Sequence, residues 1–216
     1  MQSSKVLADK FIAFLKEKGH YAELSKYGPY FANIKYENNA LIKLFINKAG
    51  NNRISLPINI EEQTMSEIIK NWELFNGRYH EGIHLYVDGT FIDNTAGYGY
   101  VVIQDNNIIK SGSGITKEDI SLRNVTGEIM GVMKGVKYCL ENGFESITIH
   151  YDYEGLKKWV TGEWKTNKKL THLYKSKMNG YSKKIKIFWQ KIAAHSGITY
   201  NEMADKLAKK AVEKYH

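Results

Sequence analysis

One cysteine in 216 residues excludes an intramolecular disulfide and, by itself, a cysteine-built zinc centre. Cys139 falls on an apolar helical face with Ile129, Val132, Met133, Val136 and Leu140, which points to a place in a core. Only two prolines and no low-complexity run argue against long disordered stretches. No apolar run is long enough to cross a membrane as a helix, and the amino end has mixed charge with no short apolar stretch leading to a cleavage site. The expectations are no membrane partner and a cytoplasmic location.

Aromatics and positive charge are plentiful. Four Trp, fifteen Tyr and eight Phe supply large side chains for a core, and 43% apolar content makes a globular chain with one core plus a smaller satellite. The net charge of +8 suits either solubility or a polyanionic partner. Its distribution is uneven: from Lys157 to Lys191 there are eleven Lys and a single acid, Glu163. A lysine run alone reads as a solvated helical face. Trp159, Trp164, Tyr174, Tyr181 and Trp189 interleave with these lysines, and basic residues beside planar side chains suit a nucleic-acid backbone.

Apolar spacing at Leu7, Phe11, Phe14 and Leu15 predicts a first helix over 4–18, stopped by Gly19. Short runs at 20–24, 30–36, 41–47 and 53–57, separated by turn residues, predict an antiparallel meander. A second helix over about 63–75 ends at Asn76-Gly77. These assign a small α+β domain to 1–76, a linker to 77–81 and a second domain to 82–216. In the second domain, strands are expected at 83–88, 97–104 and 108–114, a helix at 125–141, and a strand at 146–151. Helical stretches at 154–160 and 168–181, a strand at 186–193 and a helix running to 214 complete it. The order β-β-β-α-β-α-α-β-α implies an α/β fold with a mixed sheet flanked by helices.

Four carboxylates stand at element ends in this scheme. Asp88 closes the first strand, Glu128 lies in the first turn of a helix, Asp152 follows the fourth strand, and Asp205 is near the start of the last helix. Singly, each has an ordinary reading, because acids in a first helical turn stabilise the dipole and strand-end acids are common. If the first and fourth strands are neighbours, however, all four converge. Such a cluster repels itself unless hard divalent cations join it.

The strings YVDGT (86–90), RNVTGEI (123–129), IHYDYEGLKKWVTGEWK (149–165) and AHSGITYNEMADKLAKKA (194–211) resemble the four motif blocks of type 1 ribonuclease H, in order, over about 81–214. The resemblance implies a ribonuclease H-like mixed five-stranded sheet flanked by helices. It also implies an endoribonuclease that hydrolyses the RNA strand of RNA/DNA hybrids by a two-metal-ion mechanism, leaving 5′-phosphate and 3′-hydroxyl ends. Asp88, Glu128, Asp152 and Asp205 would hold two Mg²⁺ ions, with Mn²⁺ able to substitute. His195, in the AHSG block, would assist proton transfer or product release. The other readings are a non-catalytic hybrid- or RNA-binding module and a structure-specific DNA nuclease of the same fold. All four acids and the AHSG and NExAD blocks weigh against both.

The chain departs from the family pattern in three places. Asp152 is followed by Tyr153-Glu154 where relatives often carry Ser. Of two asparagines common before the helical glutamate, Asn124 remains and resembles a reader of the RNA 2′-hydroxyl, while Arg123 can hold a DNA phosphate. A basic protrusion is shortened to 160–165, leaving Trp164 and Lys165 as its substrate-binding candidates. Residues 1–76 lack the glycine and aromatic signature of the family's usual hybrid-binding domain. Their helix, meander, helix order is similar to double-stranded RNA-binding domains, without a Lys-rich start to the second helix. Substrate binding and contact with a protein partner both remain open for them.

Overall fold

The structure is a computed structural model describing residues 3–37, 40–57, 59–192 and 198–215. The chain folds into two compact units, with the main break between Tyr79 and His80.

The first unit opens with α1 (Ser4–Glu17), whose N-terminus is capped by the Ser3 side chain accepting from the Val6 N–H at 3.2 Å. Gly19, at φ +86°, turns the chain out of the helix. Strands β1 (Ala22–Gly28), β2 (Phe31–Tyr36), β3 (Ala40–Ile46) and β4 (Asn52–Ser55) form an antiparallel sheet in sequential order. Helix α2 (Glu62–Phe75) follows. Ala32, Ile34, Tyr36, Ile42 and Leu44 form a core with Leu7, Phe11 and Leu15 of α1 and Ile68 and Trp72 of α2. The Phe11 and Trp72 rings meet edge to face at 4.9 Å. Strand β1 outruns the expected 20–24 because its second half, Ser25 to Tyr27, is exposed and carries no apolar signal.

The second unit contains β5 (Ile83–Ile92), β6 (Thr95–Gln104), β7 (Asn107–Thr116), a 3-10 turn (Ile120–Leu122), α3 (Asn124–Glu141), β8 (Ser146–Tyr151), α4 (Gly155–Thr161), α5 (Lys169–Tyr181), β9 (Lys186–Lys191) and α6 (Thr199–Glu213). The five-stranded sheet runs β7-β6-β5-β8-β9. Its first three strands pair antiparallel, whereas β8 runs parallel to both β5 and β9. This is the mixed sheet expected, with one extension: β5 continues past Asp88 to Ile92 and turns through Asp93 and Asn94, both at positive φ. Two such central residues make the tight hairpin turn whose twist matches its strands. Cys139 sits in the core as expected, and burial pushes its thiol up to about 12.

Glycines let helix backbones lie directly on the sheet. A Cβ at Gly127 of α3 would fall 2.0 Å from the Gly97 carbonyl oxygen and 2.9 Å from the Gly89 Cα. One at Gly99 of β6 would fall 2.1 Å from the Ala204 carbonyl oxygen of α6. These are backbone atoms that no side-chain rotation can clear. Gly127→Ala should therefore destabilise by about 3 kcal/mol through overpacking. Gly180→Ala is the control: Gly180 lies in α5 with open space around its missing Cβ, so alanine there should be neutral or stabilising by about 0.5–1 kcal/mol. Denaturant unfolding of both variants tests the contrast, and equal stabilities would refute the role given to the close contact.

Candidate active site

The same close approaches gather the acids. Gly89 follows Asp88 in β5, and a Cβ there would meet the Asn124 carbonyl oxygen at 2.1 Å and the Glu128 nitrogen at 2.6 Å. The turn of α3 carrying Glu128 is thus pressed against the strand position next to Asp88. In the β5–β6 ladder Asp88 faces Gly99, and Gly99 touches Ala204, the neighbour of Asp205. In the parallel β5–β8 pair Tyr86 faces His150, so Asp152, two residues on, comes level with Asp88. The structure brings together all four acids that the sequence singled out.

Two local placements differ from expectation. Glu128 is the fifth residue of α3 and Asp205 the seventh of α6, so both lie beyond the first turn. The helix-dipole explanation weakens accordingly, since that effect fades past the first turn.

Electrostatically the cluster is frustrated. Burial first, then the charges of Asp205 and Asp152, push Asp88 up to about 7 from an ordinary 3.8, against the opposing pull of the Gly89 N–H and Lys209. Asp88 Oδ1 accepts from the Gly89 N–H at 2.8 Å. Glu128 is nearly fully buried, and burial with the charges of Asp152 and Asp88 raises it well above the usual carboxylate range. Its Oε1 accepts from the Asn124 amide at 3.3 Å, while its buried Oε2 finds no donor among the described residues. Asp152 lies within hydrogen-bonding reach of Glu128, and such a carboxyl pair is held together by a shared proton or by a cation. Asp205 Oδ2 accepts from Lys209 at 2.8 Å. An orphaned carboxylate oxygen beside converging acids fits hard divalent cations, whose preferred ligands are carboxylate oxygens.

Arg123 and Asn124 stand exposed at the start of α3, with Arg123 in the left-handed region at φ +53°. Trp164 is 37% exposed, lies against Trp159 and Tyr153, and carries Lys158 Nζ 5.1 Å from its ring centroid. Lys165 is exposed. Other aromatics of the lysine-rich segment have a different fate. Trp159 and Tyr174 are buried in the core, and Tyr181 and Trp189 pack against it. Helical spacing puts Trp159, Tyr174 and Tyr181 on the apolar faces of α4 and α5, whose lysines face solvent, and Trp189 lies on strand β9, so Trp164 alone of the five is more than a third exposed. His195 lies outside the described residues. Sequence reasoning missed a cluster formed by His80, His84 and His150. The signal was the β5–β8 pairing, which brings His84 and Tyr86 alongside His150.

A mixed sheet in the order 3-2-1-4-5, with acids converging from its first and fourth strands and from two helices, defines a ribonuclease H-like α/β enzyme fold. The family model described as RNase H matches residues 80–213, well over half of the chain, and the protein belongs to that family. Ribonuclease H of Buchnera aphidicola is 29% identical over 146 residues, covering 61% of this chain and 86% of that protein. Ribonuclease H of Wolbachia pipientis is 30% identical over 141 residues, covering 59% and 93%. Among solved structures, RNase H1 of the archaeon Halobacterium salinarum superposes with a TM-score of 0.53 at 22% identity, covering 61% of this chain and 98% of that one. LC11-RNase H1, solved in complex with an RNA/DNA hybrid, gives 0.50 at 16% identity, covering 60% and 99%. At these identities the structural likeness speaks for the fold. The chain is a ribonuclease H, of a divalent-metal-dependent family. Among the described residues no helix is long and apolar enough to cross a membrane.

Proposed function

We propose that this protein hydrolyses the RNA strand of RNA/DNA hybrids at the Asp88, Glu128, Asp152 and Asp205 cluster, leaving 5′-phosphate and 3′-hydroxyl ends. The observation that carries this reading is the convergence of four mutually repelling carboxylates, two of them pushed toward protonation, within a ribonuclease H domain. The four acids would hold two Mg²⁺ ions, or Mn²⁺ in their place. Bound there, the ions supply the Lewis acidity that activates water and offsets charge on the leaving 3′-oxygen. The chain's own residues fix where that charge sits. The β5 backbone at Gly89 holds Asp88, the Asn124 amide orients Glu128, and Lys209 restrains Asp205. Asn124, exposed at the same helix start, would read a 2′-hydroxyl, and Arg123 would hold a phosphate of the DNA strand. Trp164 and Lys165 supply a further contact surface.

One gel tests the reading: labelled hybrid, RNA duplex, DNA duplex and single strands, each with Mg²⁺ or EDTA. Cleavage of the RNA in the hybrid alone, with Mg²⁺ alone, is expected. Cleavage of DNA would transfer the protein to the structure-specific DNA nucleases.

His195 is assigned an assisting part in proton transfer or product release. His195→Ala should slow turnover by about 10- to 100-fold, because acid–base help is partial where metal ions activate the water. Steady-state rates on one hybrid decide this, and an unchanged rate would make it a bystander.

Residues 1–76 are assigned as an accessory domain that binds substrate, with a protein partner as the alternative. A chain beginning near Tyr79 should keep its cleavage chemistry but show a raised KM and a shallower salt dependence, since fewer phosphates are neutralised. Identical KM and salt slopes in the two forms would remove the substrate-binding role.

A further inference from the structure

Three histidines that the cleavage chemistry does not use gather at the β5–β8 pair. His84 lies on β5 and His150 on β8, both under 9% exposed, and half-buried His80 lies on the segment leading into β5. His84 Nδ1 and His150 Nε2 are 2.8 Å apart. His84 Nε2 stands 2.9 Å from the Glu81 carbonyl oxygen, which can only accept, so Nε2 carries the proton and Nδ1 accepts from His150 Nε2–H, a proton that a bound ion would displace. This is the arrangement of a metal-binding imidazole, whose second nitrogen donates to a backbone carbonyl that fixes its tautomer and direction. The His80 ring centroid is 4.8 Å from that of His84 and 5.4 Å from that of His150. One nitrogen from each of the three histidines lies within 4.8 Å of the others.

The surroundings hold the rings in place. Tyr86 stacks on His150 with centroids 4.1 Å apart and planes 10° from parallel, and its hydroxyl lies 3.0 Å from His80 Nε2. Buried His150 Nδ1, on the far side of the ring from the Nε2 that faces His84, has no hydrogen-bond partner among the described residues.

We propose that His80, His84 and His150 form a site for one borderline transition-metal ion of the Zn²⁺ class, separate from the carboxylate cluster. Three imidazoles and no carboxylate disfavour Mg²⁺, which demands oxygen ligands, and suit Zn²⁺. Two nitrogens on a tetrahedral Zn²⁺ ion at about 2.0–2.1 Å stand about 3.3–3.4 Å apart, so the 2.8 Å pair must open by about half an ångström and closing the 4.8 Å spread needs a shift of up to about 1.5 Å. His80, the half-buried member outside the strands, is the one best able to make it. Three protein ligands leave the fourth tetrahedral position to water. The ion would tie β5 to β8 just behind the acids, since His150 and Tyr86 each precede a clustered aspartate by two residues. Its role is structural: it braces the strand pair that sets the Asp88 to Asp152 spacing. This inference does not depend on the hybrid-cleavage reading.

The test uses the full chain, stripped with EDTA, dialysed, and titrated with Zn²⁺ or with Co²⁺ as a visible probe. Millimolar Mg²⁺ is kept present to occupy the acids. One equivalent of Zn²⁺ should bind and raise the Tm, and Co²⁺ should give the visible absorption of a tetrahedral, nitrogen-rich site. His80→Gln, a half-buried change that circular dichroism should show to be folded, and His84→Gln should each weaken Zn²⁺ binding by about 100-fold or more, while Asp152→Asn should leave it intact. Failure of the wild-type chain to bind Zn²⁺ would overturn the proposal. So would wild-type affinity in His80→Gln, which would place the ion elsewhere, or loss of binding in Asp152→Asn, which would place it among the acids.

Discussion

Replacing Asp88 or Asp152 with asparagine should abolish hybrid cleavage, lowering turnover by more than about 1000-fold, while fold and hybrid affinity persist. Each substitution removes a negative charge and a hard oxygen ligand at almost constant volume. The folded protein loses little, because these charges repel Asp205, Glu128 and one another in the metal-free state. Asp88→Asn in particular removes a carboxyl that burial already penalises. Its Tm without divalent ions should match or exceed that of the wild-type chain. Affinity for a hybrid comes mainly from phosphate contacts made by lysines and arginines elsewhere, so it should survive. Single-turnover cleavage, hybrid binding in Mg²⁺ and thermal unfolding measured on the same preparations check all three parts. Turnover by either variant at the wild-type rate would end the assignment of the cluster.

The acids were legible in the sequence because four blocks with fixed order carried them, yet the force that gathers them was less so. Gly89, Gly97 and Gly99 fall in or beside expected strands and Gly127 in an expected helix, where a glycine taken singly only weakens its element. Their function is close backbone approach, which becomes visible only when strand and helix are docked. The end of β5 was misplaced for a related reason: Asp88-Gly89 looks like a strand terminus, and the real turn, Asp93-Asn94, lies four residues beyond that glycine. Trp159 and Tyr174 misled in the opposite direction. Among many lysines they suggested a stacking surface, whereas amphipathic α4 and α5 turn them inward. The histidine cluster escaped because His84 and His150 are 66 residues apart and meet only through a parallel strand pair, whose register no local pattern records.

Divalent-ion binding should strengthen as pH rises toward neutrality, and Asp88 supplies the sign. Its folded carboxyl is raised to about 7 from an ordinary 3.8. Between those values the metal-free folded state holds a proton that the unfolded state has released. The stabilisation from that proton is complete below about pH 4 and is lost as pH climbs through 7. Glu128 is shifted in the same direction. Buried His150, lowered to about 3, acts oppositely: its contribution is present above its ordinary 6.5 and is lost as pH falls toward 3. The two effects overlap in the wild-type curve, so the informative quantity is the difference between wild type and Asp88→Asn, in which the histidine cancels. In EDTA, the stability of the wild-type chain relative to the variant should fall by about 2–4 kcal/mol between pH 5 and pH 8. Mg²⁺ should reverse the trend, because the ion takes the place of the proton and competes with it less as pH rises. Denaturant unfolding of both proteins at several pH values, with and without Mg²⁺, measures this. Parallel curves in EDTA would show that Asp88 ionises normally and that the repulsion argued for the cluster is absent.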